Sequence, residues 1–273
     1  MSSERRALLA RIRAAASHLR DRETRAVLRL GVTAARSTRR RPADARFHCP
    51  CCSGTAFEMI PVLWPELIAA WDLSPSEVDY IDRSQGFTCS TCGSGMRSMA
   101  LAHAVMAKLD FTLPFCALSL RHPLLRILEV NRAGSLTQFL RPFSGHVLAE
   151  YPAVDMLRLP YDDQAFDIVV HSDTLEHVTD PRRGLSECLR VTRSGGFVAF
   201  TTPIVHGRLT RSRLGLPDSF HGYQDHAAPD LKVETEFGAD VWAAVLAAGA
   251  ASCEFVSLEF PAGFAVVAEP SVR

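Results

Sequence analysis

Three short runs between residues 126 and 172, "RILEV", "HVLAEY" and "FDIVVHS", limit the fold more than anything else in the chain. Each is apolar almost from end to end. Strands with apolar residues on both faces are strands covered on both faces, so the pattern predicts an α/β domain built on an open, buried sheet. After "FDIVVHS" come a helix in "LEHVTDPRRGLSECLRVT", a turn at "RSGG" and a strand in "FVAFTTPIV". A further helix in "GADVWAAVLAAGA" is followed by "CEFVSLEF" and "FAVVAE", two strands that pair as a closing hairpin. An open α/β sheet takes its ligands beyond the carboxyl ends of its strands. The polar residues gather there.

Glu129 is the last acid of the first strand, and Val130, Asn131, Arg132, Ala133 and Gly134 lead from it to a helix in "LTQFLRPF". Glu150 closes the second strand and is followed by Tyr151. It stands about 20 residues after Glu129, the separation expected between a nucleotide-binding loop and the acid that takes ribose hydroxyls. Asp155 is placed to reach an exocyclic amine, and Met156 and Leu157 to lie against an adenine face. The stretch between Glu150 and Phe166 is short for a helix and another strand, so an abbreviated sheet is expected there.

The cysteines fall into two groups. Cys116, Cys188 and Cys253 stand alone in apolar surroundings, as small core residues do. Cys49 with Cys52 and Cys89 with Cys92 form two C-x-x-C knuckles, "CPCC" and "CSTC", the second followed by Gly93. Two such turns complete a tetrahedral four-sulfur site, the arrangement zinc prefers. A redox C-x-x-C normally stands alone, and a disulfide framework suits an exported chain. Cys49, Cys52, Cys89 and Cys92 are therefore the expected ligands of a structural zinc ion, with Cys51 or His48 as substitutes. Four thiolates leave no open coordination position, so such a site supports the fold without doing chemistry. Between the knuckles, one helix is expected around Trp64 to Trp71 and another after Ser74, where "SPSE" offers a cap, a first-turn Pro and a Glu three residues on. The helix in "GSGMRSMALAHAVMAKL" then leads straight into the main domain.

Charge separates a further segment. The chain is formally neutral, yet residues 1–46 are rich in Arg, with Leu8, Leu9, Ile12 and Leu19 at helical spacing. An amphipathic helix with a basic face is expected, packed on the body or offered to anionic lipid, nucleic acid or a partner. The organisation reads as a basic helical segment (1–46), a zinc-ribbon-like module (47–95) and the α/β domain (96–273). No run of about 18 apolar residues occurs and the apolar core of a secretory signal is missing, so the chain reads as cytoplasmic. The neutral balance and the acids around 150–180 disfavour nucleic acid as a partner. No pattern speaks to the oligomeric state.

Residues 159–196, "LPYDDQAFDIVVHSDTLEHVTDPRRGLSECLRVTRSGG", bring these readings together. They fill nearly every position of the pattern "LPF.D..FD.V....LEHV.DP....E..RVL.PGG", and residues 126–205 resemble the core of a class I S-adenosylmethionine-dependent methyltransferase of the type 11-like group. "SQGFTCSTCGSGMRSMALA" also resembles the ribbon in front of some bacterial members. The resemblance implies a Rossmann-like class I methyltransferase sheet with a small N-terminal zinc-ribbon and helical module. It implies S-adenosylmethionine as cofactor, with Glu129 and the loop through Gly134 at its methionine end, Glu150 and Tyr151 at the ribose, and Asp155 and Met156 at the adenine. His171, Ser172 and Asp173 would lie near the sulfonium. The family loop is usually E-x-G-x-G. Here Asn131 and Ala133 stand in place of glycines; Asn tolerates a left-handed backbone and Ala is nearly as small.

The implied activity is methyl transfer to a small-molecule or glycan acceptor, at oxygen. The alternatives are an RNA methyltransferase that grips RNA with ribbon and basic N-terminus, and a non-catalytic binding protein that keeps the fold. His177 in "LEHV" and His221 are the candidate bases. His221 lies in an insertion, 206–238, of the kind that shapes an acceptor pocket, and its Arg208, Arg211 and Arg213 are candidate grips for phosphate or carboxylate.

Overall fold

A computed structural model describes residues 47–220 and 231–271. The segment 1–46 and His221 lie outside the described residues. From the first knuckle the chain makes strand β1 (Phe57–Met59), helix α1 (Pro65–Ala70), helix α2 (Pro75–Gly86) and strand β2 (Phe87–Cys89), which returns antiparallel to β1. Helix α2 begins where its sequence puts it. Ser74 Oγ accepts from Glu77 N at 3.4 Å while Glu77 Oε2 accepts from Ser74 N at 2.8 Å, a reciprocal cap with Pro75 in the first turn. Helix α3 (Met96–Lys108) follows the second knuckle and buries Met96, Met99, Leu101 and Val105. Then come α4 (Leu118–Arg121), β3 (Arg126–Val130), α5 (Thr137–Leu140), β4 (Gly145–Ala149) and β5 (Phe166–Ser172). The rest is α6 (Pro181–Val191), β6 (Thr192–Thr201), β7 (Ile204–Val205), β8 (Arg211–Ser212), β9 (Thr235–Gly238), α7 (Val241–Ala247), β10 (Ala250–Glu259) and β11 (Gly263–Pro270).

The main sheet has the order β10-β11-β6-β5-β3-β4. Strands β4, β3, β5 and β6 are parallel, and the closing hairpin adds β11 antiparallel to β6. This is the α/β sheet that the apolar runs imply, in the Rossmann-like form that the family resemblance implies. Alternation along the strands feeds two cores. Ile168, Val170, Ala199 and Val267 pack toward α3, in one cluster with Cys49, Cys52 and Cys89. Val169, Val198, Phe200 and Val266 pack toward α6 and α7 on the other face. Each large apolar side chain fully buried this way contributes roughly 1.5–3 kcal/mol. The cysteine knuckles are thus part of the main core, and Pro50 O and Cys51 O accept from Phe115 N and Cys116 N at 2.9 and 3.0 Å.

Three local expectations change. "LEHV" is a separate 3₁₀ turn, Leu175–His177, and α6 starts only at Pro181, whose ring ends any helix before it. Asp180 caps α6 by accepting from Arg183 N at 2.9 Å. "RSGG" is drawn into the start of β6, where a Cβ on Gly196 would stand 2.3 Å from Asp167 O, so the close approach of β5 demands glycine. The helix after β3 is a single turn. Residues 150–165 hold neither helix nor strand, as the shortness of that stretch implies. The 206–238 insertion contributes β8 and β9 to a small sheet of order β7-β9-β8. Among the described residues no helix is long and apolar enough to cross a membrane.

Candidate active site

Parallel pairing sets the tips of β3, β4 and β5 side by side: Val130 lies opposite Ala149, and Glu129 opposite Val170. Asn131 closes the β3 tip onto β4. Its N donates to Ala149 O at 2.8 Å and its Oδ1 accepts from Tyr151 N at 2.9 Å. Its φ of 54° is the left-handed conformation a glycine would otherwise supply, and Asn is the non-glycine residue best suited to it. Gly134 turns the chain again at φ 58°.

Glu129 is wholly buried. Its Oε1 accepts from Ala133 N at 2.8 Å and Thr137 Oγ1 at 2.5 Å, and its Oε2 lies 2.8 Å from His146 Nε2. The carboxylate therefore holds the loop in shape from beneath and is a positioning residue. Glu150 is half exposed at the β4 tip, and its Oε1 accepts from Arg132 Nε at 2.8 Å. A ribose bound there would share it with that guanidinium. Asp155 lies beyond β4 with its Oδ1 accepting from Leu157 N at 2.8 Å. Met156 does not face the tips: it is buried in the second core against Gly184 of α6. Residues 171–173 divide. His171 is wholly buried, its ring stacked on Phe200 with centroids 4.7 Å apart, and burial pushes its imidazole down to about 3, so it stays neutral. Ser172 Oγ and Thr201 Oγ1 share a hydrogen bond of 2.7 Å inside the sheet. Asp173, at φ 48°, reaches beyond the strand. It pairs with Arg97, and its Oδ1 is buried with no hydrogen-bond partner among the described residues.

Asp173 also belongs to the wall of a cavity of about 470 Å³. One wall comes from the insert between the knuckles, including Val62, Leu63, Trp64, Leu67 and Trp71. The facing wall includes Ile204, Val205, Val233 and Phe237 of the segments around the small sheet. Tyr80, Arg97, Asp173 and Glu176 line it; Arg97 pairs with Asp173 and also interacts electrostatically with Glu176. Glu176 is buried, and burial raises its carboxyl pKa, with Thr202 Oγ1 donating to its Oε2 at 3.0 Å. His177 stands behind it. Its Nδ1 meets Lys232 O at 2.9 Å, and since a carbonyl only accepts, that nitrogen carries the proton. Its Nε2 then faces Glu176 Oε1 at 3.7 Å.

The insert is pinned over this cavity from the other side. Arg208 Nε and Nη2 donate to Glu77 Oε1 and Oε2 at 2.8 and 3.0 Å, and Arg208 also donates to Trp71 O and Asp72 O. Arg211 and Arg213 both pair with Glu236, and Arg213 lies over the Trp71 ring at 5.4 Å. The three arginines read from the sequence as grips for an anionic acceptor are thus held by the protein's own carboxylates. Trp71 Nε1 donates to Ser219 Oγ at 3.1 Å.

The knuckles repeat one backbone turn. Cys49 N donates to Gly54 O and Ser53 N to Cys49 O; Cys89 N donates to Ser94 O and Gly93 N to Cys89 O, all at 2.8 or 2.9 Å. Ser53 and Gly93 occupy equivalent places with φ of 65° and 72°. The turns face each other, so the sulfurs of Cys49, Cys52, Cys89 and Cys92 all lie within 4.8 Å, with Cys49–Cys92 at 3.7 Å and Cys52–Cys89 at 3.8 Å. Ligands about 2.3 Å from one tetrahedral ion stand about 3.8 Å apart, so the donor set fits zinc. Cys51 points away, its sulfur 3.9 Å from Ser98 O.

Tyr80, Arg97 and Glu176 were not singled out in the sequence. Glu176 carried a signal, an acid beside a candidate base just after a strand tip; Arg97 and Tyr80 are recognisable only once the insert is folded against β5.

Residues 89–200 match the methyltransferase domain family. Demethylmenaquinone methyltransferase of Clavibacter sepedonicus is 40% identical over 75 residues, 26% of this chain and 31% of that protein. A "Probable S-adenosylmethionine-dependent methyltransferase" of Mycolicibacterium smegmatis is 41% identical over 63 residues, 21% of this chain and 24% of the relative. Ubiquinone biosynthesis O-methyltransferase of Coxiella burnetii is 28% identical over 113 residues, 41% and 40% of the two chains. The matches span well under half the length of these relatives. With the sheet order and the strand-tip loop, they show that this chain carries in residues 89–200 a methyltransferase domain of the class I S-adenosylmethionine-dependent type.

Proposed function

We propose that the protein transfers a methyl group from S-adenosylmethionine to an oxygen of a small-molecule acceptor held in the cavity under the knuckle insert. One observation carries this reading: Asp173 belongs at once to the row of strand tips and to the cavity wall, so a donor at the tips and an acceptor in the cavity would meet there. The unpartnered Asp173 Oδ1 is an acceptor suited to a cationic ligand, and the exposed Glu150 carboxylate to ribose hydroxyls. S-adenosylmethionine, when bound, supplies a sulfonium methyl whose electron pair stays on sulfur as the acceptor oxygen takes the carbon. The chain's part is to position and to move a proton. Glu129 keeps the loop shaped, the apolar walls exclude water, and the hydroxyl proton passes to Glu176, which burial makes a stronger base. Cys49, Cys52, Cys89 and Cys92 would hold zinc as a closed, structural ion that anchors the insert.

Calorimetric titration of the full chain with S-adenosylmethionine tests the reading. One site is expected, with Glu150→Ala weakening it at least tenfold. Absence of heat at millimolar cofactor would leave only a shared fold, and fold alone does not establish function.

A further inference from the structure

We infer that the acceptor is an apolar molecule carrying a hydroxyl group, gripped by the face of the insert between the two cysteine knuckles, and that it is not a glycan. The inference rests on the methyl-transfer reading and names the substrate class for it.

The cavity sets the chemistry. Its volume of about 470 Å³ suits a drug-sized molecule. Its walls are dominated by side chains such as Leu63, Trp64, Leu67, Trp71, Ile204 and Phe237, brought together from both sides. Apolar residues form the larger part of the lining, and several of its polar groups already have partners within the protein. Ser219 takes the Trp71 indole N–H, Glu236 answers Arg211 and Arg213, and Asp173 answers Arg97. A sugar ring brings several hydroxyls, each costing roughly 1–3 kcal/mol when buried without a hydrogen bond. One hydroxyl is served, because Glu176, the base of the methyl-transfer reading, stands in the cavity wall just after the β5 tip. An apolar body with a single hydroxyl therefore satisfies the cavity, and a polyhydroxylated one does not.

The insert makes the discriminating surface. Val62 and Leu67 belong to it, and they are held in place without contributing to the strand-tip loop. Asp82 Oδ1 accepts from Val62 N at 2.7 Å and Leu63 N at 3.0 Å, while the Arg208–Glu77 pair clamps α2 to the opposite wall. Acceptor selection and donor binding are thereby given to different parts of the chain.

The test titrates the full chain with 4-hexylphenol, maltose and S-adenosylmethionine separately, by calorimetry and by tryptophan emission, since Trp64 and Trp71 line the cavity. The phenol is expected to bind at least tenfold more tightly than maltose and to shift the emission. Val62→Asp and Leu67→Asp should each weaken the phenol at least fivefold, with S-adenosylmethionine affinity and melting temperature unchanged. Two variants are used so that misfolding of one leaves the other to read, and Val62 is already 39% exposed. Maltose binding as tightly as the phenol, or the phenol binding equally to both folded variants, overturns the inference. S-adenosylmethionine heat without phenol binding overturns it too and leaves methyl transfer standing. Phenol binding without S-adenosylmethionine heat removes the methyl-transfer reading, and the acceptor class with it.

Discussion

At Cys49–Gly54 and again at Cys89–Ser94 the backbone makes the same turn, while the loop after β3 makes one that the two knuckles do not repeat. Each knuckle turn is closed by its own backbone groups within six residues. The β3 loop is closed by side chains that arrive from elsewhere: Thr137 from the next turn, His146 from β4, and Ser98 Oγ, from α3, donating to Ala133 O at 3.3 Å. The difference teaches where each site is vulnerable. The knuckles bring four sulfurs from distant segments within reach of one ion, and the loop depends on one buried carboxylate that gathers several donors.

Removing the ion should produce the largest effect. Purified protein should contain one zinc per chain, and Cys52→Ser should lose it. Because the sulfurs sit in the core beneath α3, the cost should exceed roughly 5 kcal/mol, a fall in melting temperature of at least about 10 °C. Metal analysis and thermal melts of the two proteins check it. If Cys52→Ser kept its melting temperature, the contrast between ion-closed knuckles and carboxylate-closed loop would collapse.

Glu129→Ala should come next. It would leave Ala133 N–H, the Thr137 hydroxyl and the His146 ring without their buried acceptor, for roughly 3–4 kcal/mol. Glu129→Gln keeps one acceptor oxygen and should cost less than half as much. Cofactor affinity, read by calorimetry, should fall in both, since the carboxylate acts through the loop; an unchanged affinity in a destabilised Glu129→Ala protein would separate the loop from the cofactor.

The same contrast explains what the sequence made legible. Spacing alone picks out the four cysteines whose sulfurs gather, because a C-x-x-C turn is closed locally and needs no knowledge of the rest of the fold. Apolar runs identify β3, β5, β6 and the closing hairpin, because burial on both faces leaves a continuous signature. The strand-tip glutamates are visible as positions, yet not as roles. Glu129 looks like a ligand-facing acid and proves to be an internal brace, because His146 and Thr137 converge on it only through strand pairing. Met156 looks like an adenine platform and packs under α6, since the side it faces is set by Gly184 nearly thirty residues on. The cavity is hidden for the same reason. It lies between segments around residues 60–85 and 203–237, and nothing local in either announces the other.

The clamp between those segments offers the smallest and most selective break. Glu77 is held by Arg208 and by the Ser74 cap, which depress its carboxyl from 4.5 to about 2. A carboxylate with a depressed folded pKa stabilises the protein fully above its unfolded value, and the stabilisation is lost as pH falls from there through the folded value. The Glu77 share should therefore be intact at neutral pH and fade between about 4.5 and about 2. Arg208→Ala should cost on the order of 2 kcal/mol at neutral pH, because it also releases Trp71 O and Asp72 O, and should flatten the acid limb over that window. Knuckles and β3 loop should both survive the change, so zinc content and S-adenosylmethionine affinity should stay constant while 4-hexylphenol binding weakens. Loss of zinc on Arg208→Ala would mean that the insert is held at its tip and not at its sulfurs, and the division between the two regions would have to be redrawn.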